Sequence, residues 1–317
     1  MIYNQVQSIG GQIETMTTPN FYDPQRVGTL YPPLIVEATS AGTQANLSPA
    51  TDDQERVYLL LVDVQVDFVH PDGALAVQGA VDDTRRLVEW MYQHAPTISK
   101  IGITLDSHVP LQIFHPAWWA NAQGEHPNGY TPINYQSILD GVWHPLYDVE
   151  WSKHYVQTLE EHARKQLMIW PYHVLLGTVG QTLVPAVAEA VAYHSVGRKV
   201  QPNYVIKGLI PQTENYSAIE PEVNYPDNPQ SAVNQALLDE MANYDKIYIT
   251  GQAKSHCVLE TVASMLRHYP AEQISKIHLL TDTMSSVGHP EIDFDGMANA
   301  VFADWEKQGV KLVTTQS

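Results

Sequence analysis

The chain has 317 residues, with 17 Lys and Arg against 35 Asp and Glu and a formal net charge of −18. That length can hold one large α/β domain or two smaller ones, and the excess of acid argues against nucleic acid or an anionic membrane as a partner. A single cysteine excludes an intramolecular disulfide and fits a reducing compartment. No apolar stretch approaches ~18 residues and no basic region precedes an apolar one at the start, so a membrane span and a signal peptide are not expected and the expected location is the cytoplasm.

Residues 1–55 are rich in Thr, Pro, Gly, Ser and Asn without periodicity and read as an irregular N-terminal arm. From residue 56 onward, short apolar runs at 58–64, 101–105, 204–206, 246–250, 277–281 and 310–313 are separated by helical patterns at 81–95, 181–195, 231–244, 257–268 and 294–308. This alternation predicts a three-layer α/β/α domain over 56–317 with a mostly parallel sheet. Ligands of such sheets sit beyond the carboxyl ends of the strands. Residues 121–170, dense in Pro, Gly, Tyr, Trp and His with one helical pattern at 151–165, break the alternation and read as an inserted lid.

The strand ends carry the chemistry. Asp63 emerges from the first apolar run, where burial would raise its pKa and suit it to general acid–base work. Asp67 lies in the following turn and is read as a holder of backbone N–H groups. Asp106 and His108 close the second run. Residues two apart in extended chain point to one side, so a carboxylate and an imidazole can converge on one ion. His173, after the rigid Trp170-Pro171 turn, is a candidate third ligand, and His115 either a fourth or a residue that orients water. One carboxylate and two imidazoles suit zinc first, with manganese, iron or magnesium as alternatives. Lys207 closes the third run, its ammonium placed to stabilise a thiolate or carboxylate. Cys257 follows the fourth run and a glycine turn, where a helix should begin. A helix start favours the thiolate. A lone cysteine is more often a core residue; the four strand ends together describe a site.

In these residues the chain resembles the nicotinamidase and isochorismatase-like family of cysteine hydrolases over about 57–315. The resemblance is carried in order by Val62-Asp-Val-Gln-Val-Asp-Phe68, Leu105-Asp-Ser-His108, Trp170-Pro-Tyr-His173, Ile206-Lys-Gly208 with Tyr216-Ser-Ala218, and Gly251-Gln-Ala-Lys-Ser-His-Cys257. It implies a catalytic triad of Asp63, Lys207 and Cys257, and oxyanion donors on the backbone N–H groups of Ala253 and Cys257. It also implies a cis peptide between Gln252 and Ala253, Phe68 and Trp170 flanking the substrate ring, and a divalent metal on Asp106, His108 and His173. Homo-oligomerisation is expected from relatives. The implied reaction is hydrolysis of nicotinamide or a similar small carboxamide through a thioester. The alternatives are a metal-free relative acting on a ureido, carbamoyl or other linear amide, a metal-dependent hydrolase with a structural cysteine, and a non-catalytic binding protein. An isochorismatase is disfavoured because cleavage of a vinyl ether needs no nucleophilic thiol.

Overall fold

Six apolar runs pair side by side as a parallel sheet: β1 (Val57–Val62), β2 (Lys100–Asp106), β3 (Asn203–Lys207), β4 (Lys246–Gly251), β5 (Ile277–Leu280) and β6 (Lys311–Val313), in the order β6-β5-β4-β1-β2-β3. The structure is a computed structural model and describes residues 18–163 and 165–317, with side chains at 162 and 163 left aside. Every strand of the sheet lies within two or three residues of the run that predicted it.

The central strand shows why the sheet has two covered faces. All six residues of β1 are buried. Leu59 and Leu61 join a core with Leu87, Val88 and Met91 of α2 (Ala80–His94) and Val187 and Ala190 of α4 (Pro185–Arg198; α3 is Val149–Thr158). Tyr58, Leu60 and Val62 join a second core on the opposite side. There they meet Leu237 and Met241 of α5 (Gln235–Ala242), Val262 and Met265 of α6 (Leu259–His268), and Phe302 and Trp305 of α7 (Phe294–Gln308). Side chains that alternate across a strand thus feed two separate helix layers. The chain runs from β1 outward through β2 to β3 and then returns to the other side of β1 for β4. The crevice at the carboxyl ends of β1 and β4 is therefore a topological switch point.

Three features differ from the sequence reading. Within the expected irregular arm, Ile35–Gln44 form a helix, α1, packed against α4 so closely that a Cβ on Gly42 would lie 2.4 Å from the Tyr193 carbonyl oxygen; the first 17 residues of that arm lie outside the described residues. The 121–170 insertion contributes one short antiparallel pair, Pro132–Ile133 with Leu167–Met168, and a strand, His144–Pro145, that pairs with Trp119–Ala120 just ahead of it, besides α3. The segment holding Cys257 is a wide π turn, Lys254–Val258, ahead of α6. Among the described residues no helix is long and apolar enough to cross a membrane.

Arg198, 1% exposed at the end of α4, ties the arm to the domain: its guanidinium pairs with Asp53 and donates to the carbonyls of Ser48 at 2.6 Å and Ile98 at 3.2 Å. His194, one turn earlier, shares the Ile98 carbonyl through Nε2 at 2.8 Å, and burial beside Arg198 lowers its pKa from 6.5 to about 4. Above pH 6.5 the imidazole is neutral in both states. As pH falls from 6.5 toward 4 the unfolded chain takes up a proton that the native site refuses, and on the order of 3 kcal/mol of stability is lost. His194→Gln keeps a donor for Ile98 and cannot titrate. Denaturant titrations should show a shallower loss of stability for the variant across that window; parallel curves would refute the assignment.

Candidate active site

Four chain segments deliver polar groups to the switch point. Asp63 follows β1 with φ +49°, a left-handed conformation that turns its carboxylate back over the strand ends. Thr104 of β2 fixes it twice, accepting from the Asp63 N–H at 3.0 Å and donating to Oδ1 at 2.5 Å. Lys207, last in β3, brings Nζ to 2.9 Å from Asp63 Oδ2, 3.1 Å from Asp106 Oδ1 and 3.7 Å from Cys257 Sγ, and donates to the Asn215 carbonyl at 2.7 Å. The backbone after Lys207 must leave room: a Cβ on Gly208, at φ +83°, would sit 2.5 Å from Asp106 Oδ1. Cys257 rides on the π turn closed by the Val258 N–H donating to the Ala253 carbonyl at 3.1 Å.

Burial sets the protonation states. Asp63 and Lys207 are nine-tenths or more buried. Burial raises the Asp63 carboxyl while Lys207 opposes it. Lys207 would be lowered by burial, but Asp106 and Asp63 raise it well above its usual value, so it stays an ammonium. Burial also pushes the Cys257 thiol well above its ordinary value, against the pull of Lys207 and with the help of Asp63 and Asp106. Burial and the two carboxylates thus favour a thiol at rest over the expected thiolate. The helix-end argument failed because two carboxylates and a dry wall outweigh a turn dipole.

A second group stands beside this one. One ligand atom each from Asp106, His108 and His173 lie within 4.8 Å of one another, all three residues buried. His108 directs Nδ1 to the Gly208 carbonyl at 3.2 Å and His173 directs Nδ1 to the Pro171 carbonyl at 2.7 Å. Each Nδ1 therefore carries a proton and each Nε2 is turned away from its backbone carbonyl, the orientation of metal-bound imidazoles. His108 Nε2 lies 3.1 Å from Asp106 Oδ2. Burial would raise Asp106, but His108 and Lys207 hold it well below the usual carboxylate range. One carboxylate oxygen and two imidazole nitrogens fit a divalent cation. His115 is buried with its ring 5.9 Å from that of His108, outside this group of three.

Cys257 of the first group and Asp106 and His173 of the second line one small cavity. Phe68, Leu75, Trp170, Tyr216 and Val287 supply its apolar wall, and Asp106, His173, Glu214, His256 and Cys257 its polar one. Both predicted ring-flanking residues, Phe68 and Trp170, line it. The Gln252–Ala253 peptide is cis, as the resemblance implies, and Ala253 lines the cavity. Asp67 is structural as read: it accepts from Ala74 N–H at 3.1 Å and Val174 N–H at 2.6 Å. Sequence reasoning missed Thr104, Glu214 and His256. Thr104 had a signal, two residues before Asp106 on the same side of a strand. Glu214, whose carboxyl is raised well above its usual value by burial, sits in a loop with none.

No protein-family model matches the chain. A nicotinamidase of Saccharomyces cerevisiae is 25% identical over 206 residues, which is 65% of this chain and 79% of the relative. The crystal structure of yeast nicotinamidase bound to the inhibitor nicotinaldehyde superposes with a TM-score of 0.56 at 19% identity, covering 81% of this chain and 99% of that one. A nicotinamidase and pyrazinamidase of Acinetobacter baumanii gives 0.54 at 20% identity, over 84% and 98%. The resemblance read from the motifs is borne out, and the fold is that of these hydrolases.

Proposed function

We propose that this chain is a nicotinamidase-like cysteine hydrolase that converts nicotinamide or a closely similar small aromatic carboxamide to the acid and ammonia. The observation that supports it best is that Asp63, Lys207 and Cys257 meet at the strand ends, with Lys207 Nζ 2.9 Å from Asp63 Oδ2 and 3.7 Å from Cys257 Sγ, beside the Asp106, His108 and His173 donors. Phe68 and Trp170 line the cavity beside Cys257, an apolar setting that suits an aromatic amide.

In this reading the Cys257 proton passes to Asp63 as the sulfur adds to the carboxamide carbon. Lys207 holds the charge of the carboxylate and thiolate while the proton moves. The developing oxyanion is met by the Ala253 and Cys257 N–H groups. Asp63 returns the proton to the departing amine, ammonia leaves, and a thioester remains on Cys257. Water enters, Asp63 takes its proton, and collapse of the second tetrahedral species releases the acid and restores the thiol. A divalent ion, proposed as zinc, would be held by Asp106, His108 and His173 and would supply a Lewis-acidic contact for the ring nitrogen. Gly208 and Pro171, through their carbonyls, keep both histidines in the ligating tautomer.

Purified protein mixed with nicotinamide should release ammonia and nicotinate in equal amounts. No release would reject the reading. The metal assignment has its own readout: elemental analysis should find about one ion per chain in the wild type, and Asp106→Asn should lose most of it with the fold intact by circular dichroism. Equal metal content in both proteins would move the ion elsewhere, and metal-free wild type with full amidase activity would favour a metal-independent relative.

A further inference from the structure

Gln252 follows β4 directly and is 1% exposed, and its N–H donates to the Val62 carbonyl at 2.9 Å. Its side chain reaches α2, where Nε2 donates to Asp83 Oδ2 at 3.0 Å, while Oε1 accepts from the Ser285 N–H at 3.3 Å. A carboxylate on one side and an N–H on the other admit only this orientation of the amide. Asp83 lies in the first turn of α2, 3% exposed, and its Oδ1 accepts from Arg86 at 2.6 Å. The reaction as derived gives neither Asp83 nor Gln252 a task.

These contacts bracket Ala253. On its other side the Lys254 N–H donates to the Ser285 carbonyl at 2.8 Å, so both chain neighbours of Ala253 are tied to Ser285. The Ala253 carbonyl accepts from the His256 and Val258 N–H groups, each at 3.1 Å. Its own N–H has no acceptor among the described residues, although Ala253 is 4% exposed and lines the cavity beside Cys257. Buried backbone N–H groups are seldom left unpaired. One that is held on both sides, without an acceptor and beside a nucleophile, suits an oxygen that the ligand brings.

We propose that Asp83 is a positioning residue for the reaction: by fixing the Gln252 side chain it holds the following peptide, and with it the Ala253 N–H, aimed at the oxygen of the tetrahedral species. This deepens the carboxamide hydrolase reading and rests on it. Asp83 acts only through Gln252. The bond between them is buried and charge-assisted, hence stronger than one between neutral partners. An oxyanion donor is effective only where charge develops, so loosening it raises the barrier and leaves binding of the uncharged substrate alone.

Asp83→Ala should lower kcat on nicotinamide by about 10- to 100-fold with KM within about twofold, less than the loss from deleting an oxyanion donor outright. Asp83→Asn should retain most of the rate, because its side-chain oxygen still accepts from Gln252 while Arg86, 43% exposed, turns to water. Gln252→Leu removes the same bond from its other end and keeps the test open should Asp83→Ala fail to fold by circular dichroism. It should lose as much, and the double variant no more than either. Pyridine-3-carbaldehyde, the aldehyde counterpart of nicotinamide, gives a readout independent of turnover. The Cys257 sulfur bonds to its carbonyl carbon as the thiol proton passes to Asp63, and the carbonyl π pair becomes an oxyanion. Aldehyde affinity should therefore fall in Asp83→Ala by about the same factor as kcat, while nicotinate, which forms no adduct, binds as before. Equal weakening of both ligands, no rescue by Asp83→Asn, or losses that multiply in the double variant overturns the proposal. Wild type that hydrolyses nicotinamide with Asp83→Ala at full rate rejects the positioning role alone; wild type that hydrolyses no carboxamide rejects the hydrolase reading and this role with it.

Discussion

Lys207→Met is expected to destabilise the fold by about 3–5 kcal/mol, the range for leaving buried charge uncompensated. The ammonium stands between Asp63 and Asp106, 2.9 and 3.1 Å away, and both carboxylates are nearly closed to solvent. Methionine fills the volume and supplies no charge. One acid must then take up a proton to remain buried. A carboxyl whose native pKa is raised binds its proton more readily folded than unfolded, so the penalty should be largest above neutrality and shrink as pH falls. Adding Asp63→Asn to Lys207→Met should recover part of the loss. Urea titrations at several pH values check both statements, and a pH-independent change under about 1 kcal/mol would mean that Lys207 is not the counter-ion of this pair.

Cys257→Ala should act the opposite way, removing activity and leaving the fold. The sulfur carries the acyl group in the proposed reaction, so its deletion should lower kcat on nicotinamide by at least about 10⁴-fold, as for other members of a concerted nucleophilic unit. The thiol is small, with one long contact from Lys207 Nζ at 3.7 Å, and its loss should move stability by about 1 kcal/mol. The Phe68 and Trp170 walls are untouched, so ligand binding read by tryptophan quenching should persist. Activity within tenfold of wild type would make the cysteine structural and shift the reaction to water.

The sheet and its helices were legible because burial on both faces leaves a strand as an unbroken apolar run, as in Leu59–Val62, and because periodicity changes between strands and helices. Strand ends then pointed to Asp63, Asp106, Lys207 and Cys257 without reference to any relative. What the sequence left out depends on contacts between distant segments. The ionisation of Cys257 turns on carboxylates that arrive from two other strands. Helix α1 has a small-residue face, Ala38 and Gly42, that makes sense only against α4. Glu214 and Val287 reach the cavity from loops with no pattern of their own.

Partition of the acyl group tests the central claim, that the Cys257 sulfur carries it, most directly. With hydroxylamine present, nicotinamide and ethyl nicotinate should give the same ratio of hydroxamate to nicotinate, because both pass through one thioester, and both reactions should stop in Cys257→Ala. Ratios that differ between the two substrates, or turnover that persists without the thiol, would contradict the account.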